Sequence, residues 1–345
     1  MVRQIAALDN HTDRVWDIEQ HASLPLVACA SADKSASVFR VPRSLTEPWT
    51  LVETLADTHK RSVRAVAWKK KEAVLATASF DASVGIWQPE GGEEGRAWEC
   101  LATLEGHENE VKDVVWSCSG RYIATCSRDR SVWVWEVFSE EESDLEFDCV
   151  AVLQEHTQDV KRLAFSPTEE DLLISASYDD TIRVWREDTD GEWSCAATLT
   201  SHKSTVWGVD FEPQTEPAYA PRFVSCSDDR TVQVWIRDNP LGAMPSSFRT
   251  DPCHETWSVQ CVLPEAHTRP VYSVAWGPKG IASAGGDGLI CIYKEDAPGV
   301  WSIAHRIPQA HEEYEINVVA WGQVNGQTVL YSGGDDAKVR VWLIE

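Results

Sequence analysis

Between His107 and Trp135 the chain alternates short apolar runs with small polar turns: HENEVKDVVWSCSGRYIATCSRDRSVWVW. EVKDVVW reads as one strand, YIATCS as a second and SVWVWEV as a third, with SCSG marking the first turn. A fourth strand, FDCVAVL, precedes the next histidine. These strands are labelled A to D. Six other segments carry the same pattern in the same phase. The histidines are His11, His59, His107, His156, His202, His267 and His311, and the aspartates are Asp33, Asp81, Asp129, Asp179, Asp229, Asp287 and Asp336. Six residues past each aspartate stands an aromatic: Phe39, Trp87, Trp135, Trp185, Trp235, Tyr293 and Trp342, spaced 48, 48, 50, 50, 58 and 49 residues apart. Short strands repeating at a fixed period of about 40–50 residues predict a ring of four-stranded blades.

The His, Asp and closing aromatic of each unit, a tryptophan in five of the seven, are those of a WD40 repeat, so the expected fold is all-β, a seven-bladed WD40 β-propeller occupying residues 1–345 as one domain. The last unit ends at its strand C, KVRVWLIE. VRQIAAL, residues 2–8, sits before His11 in the phase of strand D, so it is expected to complete the last blade and leave no open edge. Insertions fall mostly between strands C and D: GGEEG near Gly91, SEEESDLE from Ser139, EDTDGE from Glu187 and a long loop from Arg237. EPQTEPAYAP separates strands A and B of the fifth unit. These read as a solvated acidic rim.

Net charge is 31 − 55 = −24, which argues against nucleic acid or an anionic membrane as a partner, because phosphate affinity needs massed Lys and Arg. The N-terminus lacks a signal-like apolar core, and no run approaches 18 apolar residues. Ten cysteines stand without CxxC or zinc spacing. Cys100, Cys149 and Cys195 recur in equivalent D strands, and Cys126 and Cys226 each precede a serine, so they are expected as small apolar residues of a reducing compartment. No metal and no cofactor is expected.

His, Ser, Asp and Trp in one unit resemble a hydrolytic set. Seven copies argue for structure instead, since a nucleophile is needed once, in a cleft with an oxyanion hole. Full tetrads are His59–Ser79–Asp81–Trp87, His107–Ser127–Asp129–Trp135, His156–Ser177–Asp179–Trp185 and His202–Ser227–Asp229–Trp235. In each the serine hydroxyl is expected to link histidine to indole. Phe39 interrupts the first unit, while Gly285, Tyr293 and Gly334 remove the hydroxyl from the sixth and seventh, which should be held less firmly.

Without catalysis, function lies on a surface. Two positions per blade point to the narrow face around the channel: the second residue of strand A and the residue before the aspartate. The first set is Trp16, Arg64, Lys112, Lys161, Trp207, Tyr272 and Asn317; the second is Ala32, Phe80, Arg128, Tyr178, Asp228, Gly286 and Asp335. Blades 2 to 4 thus offer Arg64, Lys112, Arg128 and Lys161, interleaved with Phe80 and Tyr178. Blades 5 to 7 offer Trp207, Asp228, Tyr272 and Asp335. Such a cationic, aromatic arc is the composition of binding hot spots.

LEGHENEVKDVVW, ATCSRDRSVWVWE, VLQEHTQDVK, SASYDDTIRVW and CSDDRTVQVW resemble the WD40 subunit of the cytosolic iron–sulfur protein assembly (CIA) targeting complex. The resemblance covers the whole chain and is strongest from the second blade through the fifth. It implies a cytosolic and nuclear adaptor that joins a DUF59-type CIA protein and a large helical-repeat CIA protein to iron–sulfur apoprotein clients. It also marks Arg128 of the SRD motif as a binding residue. The alternative is a substrate receptor of a ubiquitin ligase, which usually carries an F-box segment or a Trp-Asp-x-Arg blade ending. Strands C here end IWQ, VWE, VWR, VWI and VWL. A G-protein β subunit would need an N-terminal coiled-coil helix, and an enzyme would need acid, base and nucleophile converging in the channel.

Overall fold

A computed structural model describes residues 2–90, 97–139, 145–214, 220–238 and 255–345. The chain forms seven four-stranded antiparallel sheets arranged as a propeller, with strand A of each blade innermost and strand D outermost. In blade 3 these are Val111–Trp116, Tyr122–Ser127, Val132–Ser139 and Leu145–Leu153. Strand B is buried along its whole length, Tyr122 to Ser127, because neighbouring blades cover both its faces. Strand D, open to solvent on its outer edge, is half-buried or exposed up to its last residue, Leu153, which is buried. The core therefore lies between blades. Ile123 and Trp135 of blade 3, for example, pack with Val84 and Ile86 of blade 2.

Val2–Leu8 pairs antiparallel with Val339–Ile344, from Val2 opposite Ile344 to Leu8 opposite Val339. The first strand is the outer strand of the seventh blade, as its phase predicts. Of the acidic insertions, residues 91–96, 140–144, 215–219 and 239–254 lie outside the described residues. The turn after Glu187 is ordered by Asp188, whose carboxylate accepts the Asp190 and Glu192 amides at 2.8 and 2.9 Å.

The tetrads form, but with a different hydroxyl. In blade 3 His107 Nδ1 lies 2.7 Å from the Asp129 carboxylate, and its Nε2 lies 2.9 Å from Thr125 Oγ1. The Trp135 indole donates to the same Thr125 oxygen at 3.3 Å. Ser127, the expected partner, instead donates to the Asn109 carbonyl at 3.1 Å and accepts the Asp129 amide at 3.1 Å. Ser79, Ser177 and Ser227 likewise bond the loop before strand A, while Thr77, Ser175 and Ser225 bridge histidine and tryptophan. The reason is the pleat. Residues two apart share a face, and about 6.6 Å of strand separates the turn from the ring beneath it.

The same register corrects the reading of blades 6 and 7. Ser283 and Ser332 supply the hydroxyls that Gly285 and Gly334 seemed to remove, each meeting its histidine at 2.7 and 2.8 Å. Blade 7 is complete, with Trp342 donating to Ser332 at 2.9 Å. Blade 1 is the incomplete one: Cys29 stands at the hydroxyl position, Phe39 replaces tryptophan, and the buried His11 Nε2 has no partner. Burial alone would raise Asp33, Asp129, Asp179 and Asp229, but bonds from histidine, hydroxyl and backbone outweigh it and hold all four well below the usual carboxylate range.

The cysteine expectation holds in part. Cys29, Cys126, Cys226 and Cys291 are buried, yet Cys100 and Cys149 are exposed because strand D presents that position outward. Cys253 lies outside the described residues.

Blades are also latched through the channel wall. Asp17, Asp113 and Asp210 accept the backbone amides of Val66, Leu163 and Trp276 in the next blade at 3.1, 2.7 and 2.7 Å. Glu19 accepts the Trp68 amide at 2.9 Å. Arg162 lies among them, 2.9 Å from Asp17 and 3.5 Å from Asp113. Burial pushes Glu19 up to about 8 and Asp210 to about 6, and moves Asp113 upward as well.

Candidate protein-interaction face

The turns before strand A and after strand B converge on one face because an even number of strands returns each blade to the same side. On that face the cationic arc assembles, with carboxylates the sequence reading did not include. Glu110, beside Val111 of strand A, is the hub. Its carboxylate lies 3.1 Å from Arg61 of blade 2, and 3.2 and 3.7 Å from Arg128 and Lys112 of its own blade. Lys161 pairs with Asp159 at 3.2 Å. Two carboxylates therefore temper the arc: Glu110 faces Arg61, Arg128 and Lys112, and Asp159 faces Lys161.

Positive charge remains in excess, and it is felt. Burial, together with repulsion from Lys161 and Arg64, brings the Lys112 ammonium down to about 8 against the pull of Glu110. Burial chiefly lowers Lys161 as well. The aromatics carry part of the charge. Lys112 Nζ is 4.0 Å from the Phe80 ring centre, and Lys161 Nζ is 5.0 Å from both Tyr178 and Trp207. Arg64 stacks over Trp16 at 5.3 Å and donates to the Trp16 carbonyl at 3.3 Å.

Exposure separates supporting cations from available ones. Lys112 and Lys161 side chains are 14% and 11% exposed, whereas Arg61 and Arg128 are each 56% exposed with Glu110 beneath them. Tyr178, 47% exposed, stands beside Lys161. Arg61 was not singled out from sequence, because it lies two residues before strand A, outside the two repeat positions considered.

The other half of the face differs. Trp207 and Tyr272 meet edge to face at 5.6 Å, and the Trp207 indole donates to Asp228 at 2.6 Å. Asn317 donates to Asp335 at 2.9 Å, and Arg14 approaches the same carboxylate at 3.4 Å. Among the described residues no three metal-ligating side chains converge, and no helix is long and apolar enough to cross a membrane.

The family model "WD domain, G-beta repeat" matches residues 2–40, 49–88, 98–136, 147–186, 193–235 and 249–294. The first match includes Val2–Leu8, the outer strand of the seventh blade, while that blade's three inner strands lie beyond the last match and complete it in three dimensions. The chain is 47% identical over 354 residues to a Yarrowia lipolytica protein named probable cytosolic iron-sulfur protein assembly protein 1, covering 98% of each. A Meyerozyma guilliermondii protein of the same name is 39% identical, covering 99% of this chain and all of that one. The WD40 β-propeller domain of Doa1 superposes with a TM-score of 0.72 at 20% identity, over 100% of this chain and 97% of that domain. At that identity the likeness concerns the fold.

Proposed function

Because the chain belongs to the WD40-repeat family of cytosolic iron-sulfur protein assembly protein 1, we propose that residues 1–345 act as one non-enzymatic scaffold in cytosolic iron–sulfur protein assembly. The scaffold joins a DUF59-type CIA protein and a large helical-repeat CIA protein to iron–sulfur apoproteins, in the cytosol and the nucleus, and carries no cluster itself. The narrow face of blades 2 to 4 is the contact surface. The observation that supports it most is the Glu110 hub: one nearly buried carboxylate orients two half-exposed guanidiniums, Arg61 and Arg128. Held this way, they are prearranged for a carboxylate-bearing partner and lose little freedom on binding.

Arg128→Glu tests the reading. Arg61 and Lys112 still neutralise Glu110 in the variant, so stability should move by no more than about 0.5 kcal/mol. Capture of a purified iron–sulfur apoprotein or of the DUF59 partner should weaken about tenfold or more, and wild-type capture should weaken as salt shortens the screening length. Intact capture by a folded variant, or recovery of cullin components in place of CIA proteins, overturns the proposal.

A further inference from the structure

Arg64, Lys112 and Lys161 are the second residues of Val63–Trp68, Val111–Trp116 and Val160–Phe165, the innermost strands of three successive blades. Those strands pack side by side around the channel, so the three cations stand at one height in its mouth. The fold does not demand charge there, since the other four blades carry Trp16, Trp207, Tyr272 and Asn317 at that position. Two of those neutral side chains find an acceptor of their own: Trp207 donates to Asp228 at 2.6 Å and Asn317 to Asp335 at 2.9 Å.

The cations are less well matched. Lys112 Nζ lies 3.7 Å from Glu110 and makes no hydrogen bond among the described residues. Lys161 gives one, to Asp159 at 3.2 Å, and Arg64 gives one, to the Trp16 carbonyl at 3.3 Å. An ammonium carries three donors and a guanidinium five, so most of this set meets no protein acceptor. The nearby carboxylates are engaged elsewhere. Glu110 is shared with Arg61 and Arg128 at 3.1 and 3.2 Å. Asp17 and Asp113, further down the channel, are held by Arg162 and by amides of the next blade. Burial first, then Lys161 and Arg64, oppose the charge on Lys112, and burial and then Arg64 oppose that on Lys161. Three cations that repel one another and keep spare donors lack an anion.

We propose that Arg64, Lys112 and Lys161 form a subsite for a tetrahedral oxyanion, the phosphate group of a small soluble phosphate or of a phosphorylated residue, seated in the channel mouth inside the more exposed Arg61 and Arg128. Near neutral pH a phosphate group carries close to two negative charges and presents three acceptor oxygens, one for each cation. A carboxylate brings one charge and two oxygens, and leaves one cation unanswered. The subsite does not depend on the protein partner assigned to the rim.

The test titrates inorganic phosphate, acetate and the blocked amino acid Ac-pSer-NHMe separately into the full chain, with no partner, at about pH 7.5 and a constant ionic strength of about 150 mM. The indole N–H resonances of Trp16, under Arg64, and Trp207, beside Lys161, are the NMR reporters. Phosphate should shift both and saturate, with acetate about tenfold weaker or more. Lys112→Met and Lys161→Met should each weaken phosphate about tenfold, while Lys161→Arg, which keeps the charge, should stay within about threefold of the wild type. Tighter binding of Ac-pSer-NHMe than of inorganic phosphate assigns the group to a modified residue, and the reverse assigns it to a free ion; both support the subsite. No saturable shift with either phosphate, equal affinity for acetate, or unchanged phosphate affinity in both methionine variants overturns it. Because no partner is present, this titration reads the mouth alone, whereas capture of an apoprotein by Arg128→Glu reads the rim, so the failure of one is distinguishable from the failure of the other.

Discussion

Blades 1 and 3 share a backbone plan and differ in half of one polar network. In both, histidine Nδ1 meets the aspartate, at 2.9 Å for His11–Asp33 and 2.7 Å for His107–Asp129. In both, the aspartate also accepts the next amide after the histidine, from Thr12 at 3.0 Å and from Glu108 at 3.1 Å. Only the inner half differs. Blade 3 has Thr125 between His107 and Trp135, whereas blade 1 has Cys29 and Phe39 and leaves His11 Nε2 unpaired. The network is thus two modules, one fastening the turns and one tying the histidine to the core, and a blade survives with the first alone. Blade 1 keeps its place by other means. Its core merges with that of blade 7 through Val15, Val27 and Phe39 against Tyr331 and Val341, and Trp49 donates to Tyr331 at 3.3 Å.

Removing the outer module should have the largest effect and treat the two blades alike. Asp33→Ala and Asp129→Ala should each destabilise by about 2–4 kcal/mol in chemical denaturation, because each orphans a histidine and backbone amides. A much smaller loss at Asp33 would show that the modules are not separable. The inner module should distinguish the blades. Thr125→Val should cost about 1–3 kcal/mol, since the Trp135 indole and His107 Nε2 both lose their partner. Cys29→Ser should stabilise by about 1 kcal/mol by supplying the hydroxyl blade 1 lacks, and a neutral result would mean His11 Nε2 is satisfied by another route.

The pH response sharpens the contrast by a smaller amount. The tetrad carboxylates are depressed, so their contribution is present above the ordinary value of about 4 and lost as pH falls through that region. Glu19 of blade 1 and Asp210 of blade 5 are raised, to about 8 and about 6. Their contribution is complete below about 4 and lost as pH rises through 6 to 8. Thermal melts should therefore peak at mildly acidic pH and decline toward pH 8, and Glu19→Gln should flatten that decline. An unchanged alkaline slope in the variant would separate blade 1's channel carboxylate from the pH response.

The fold was legible because a period near 49 residues survives every substitution within it, including Phe39 and Tyr293. The closing strand followed from phase alone. The bridging hydroxyl was not legible: Thr125 and Ser127 are two apart on one face, and only the depth of the histidine ring decides between them. Nor was the Glu110 hub, since its partners Arg61 and Arg128 come from two blades and pairing across blades leaves no mark on a repeat. Asp17, Asp113 and Asp210 recede from sequence for a related reason. What they latch is a backbone amide in the next blade, and every residue has one.

The pairing of Val2 with Ile344 also sets an order of events during synthesis. Residues 2–8 are synthesised long before residues 339–344, the strand they pair with. Six blades can form from contiguous sequence as they emerge, but the seventh cannot, so the ring stays open with the Val2–Leu8 strand unpaired until translation reaches Val339–Ile344. A nascent chain of this protein is therefore a propeller with an open seam, and that interval is when a chaperone or an assembly partner has access to an edge the finished ring conceals.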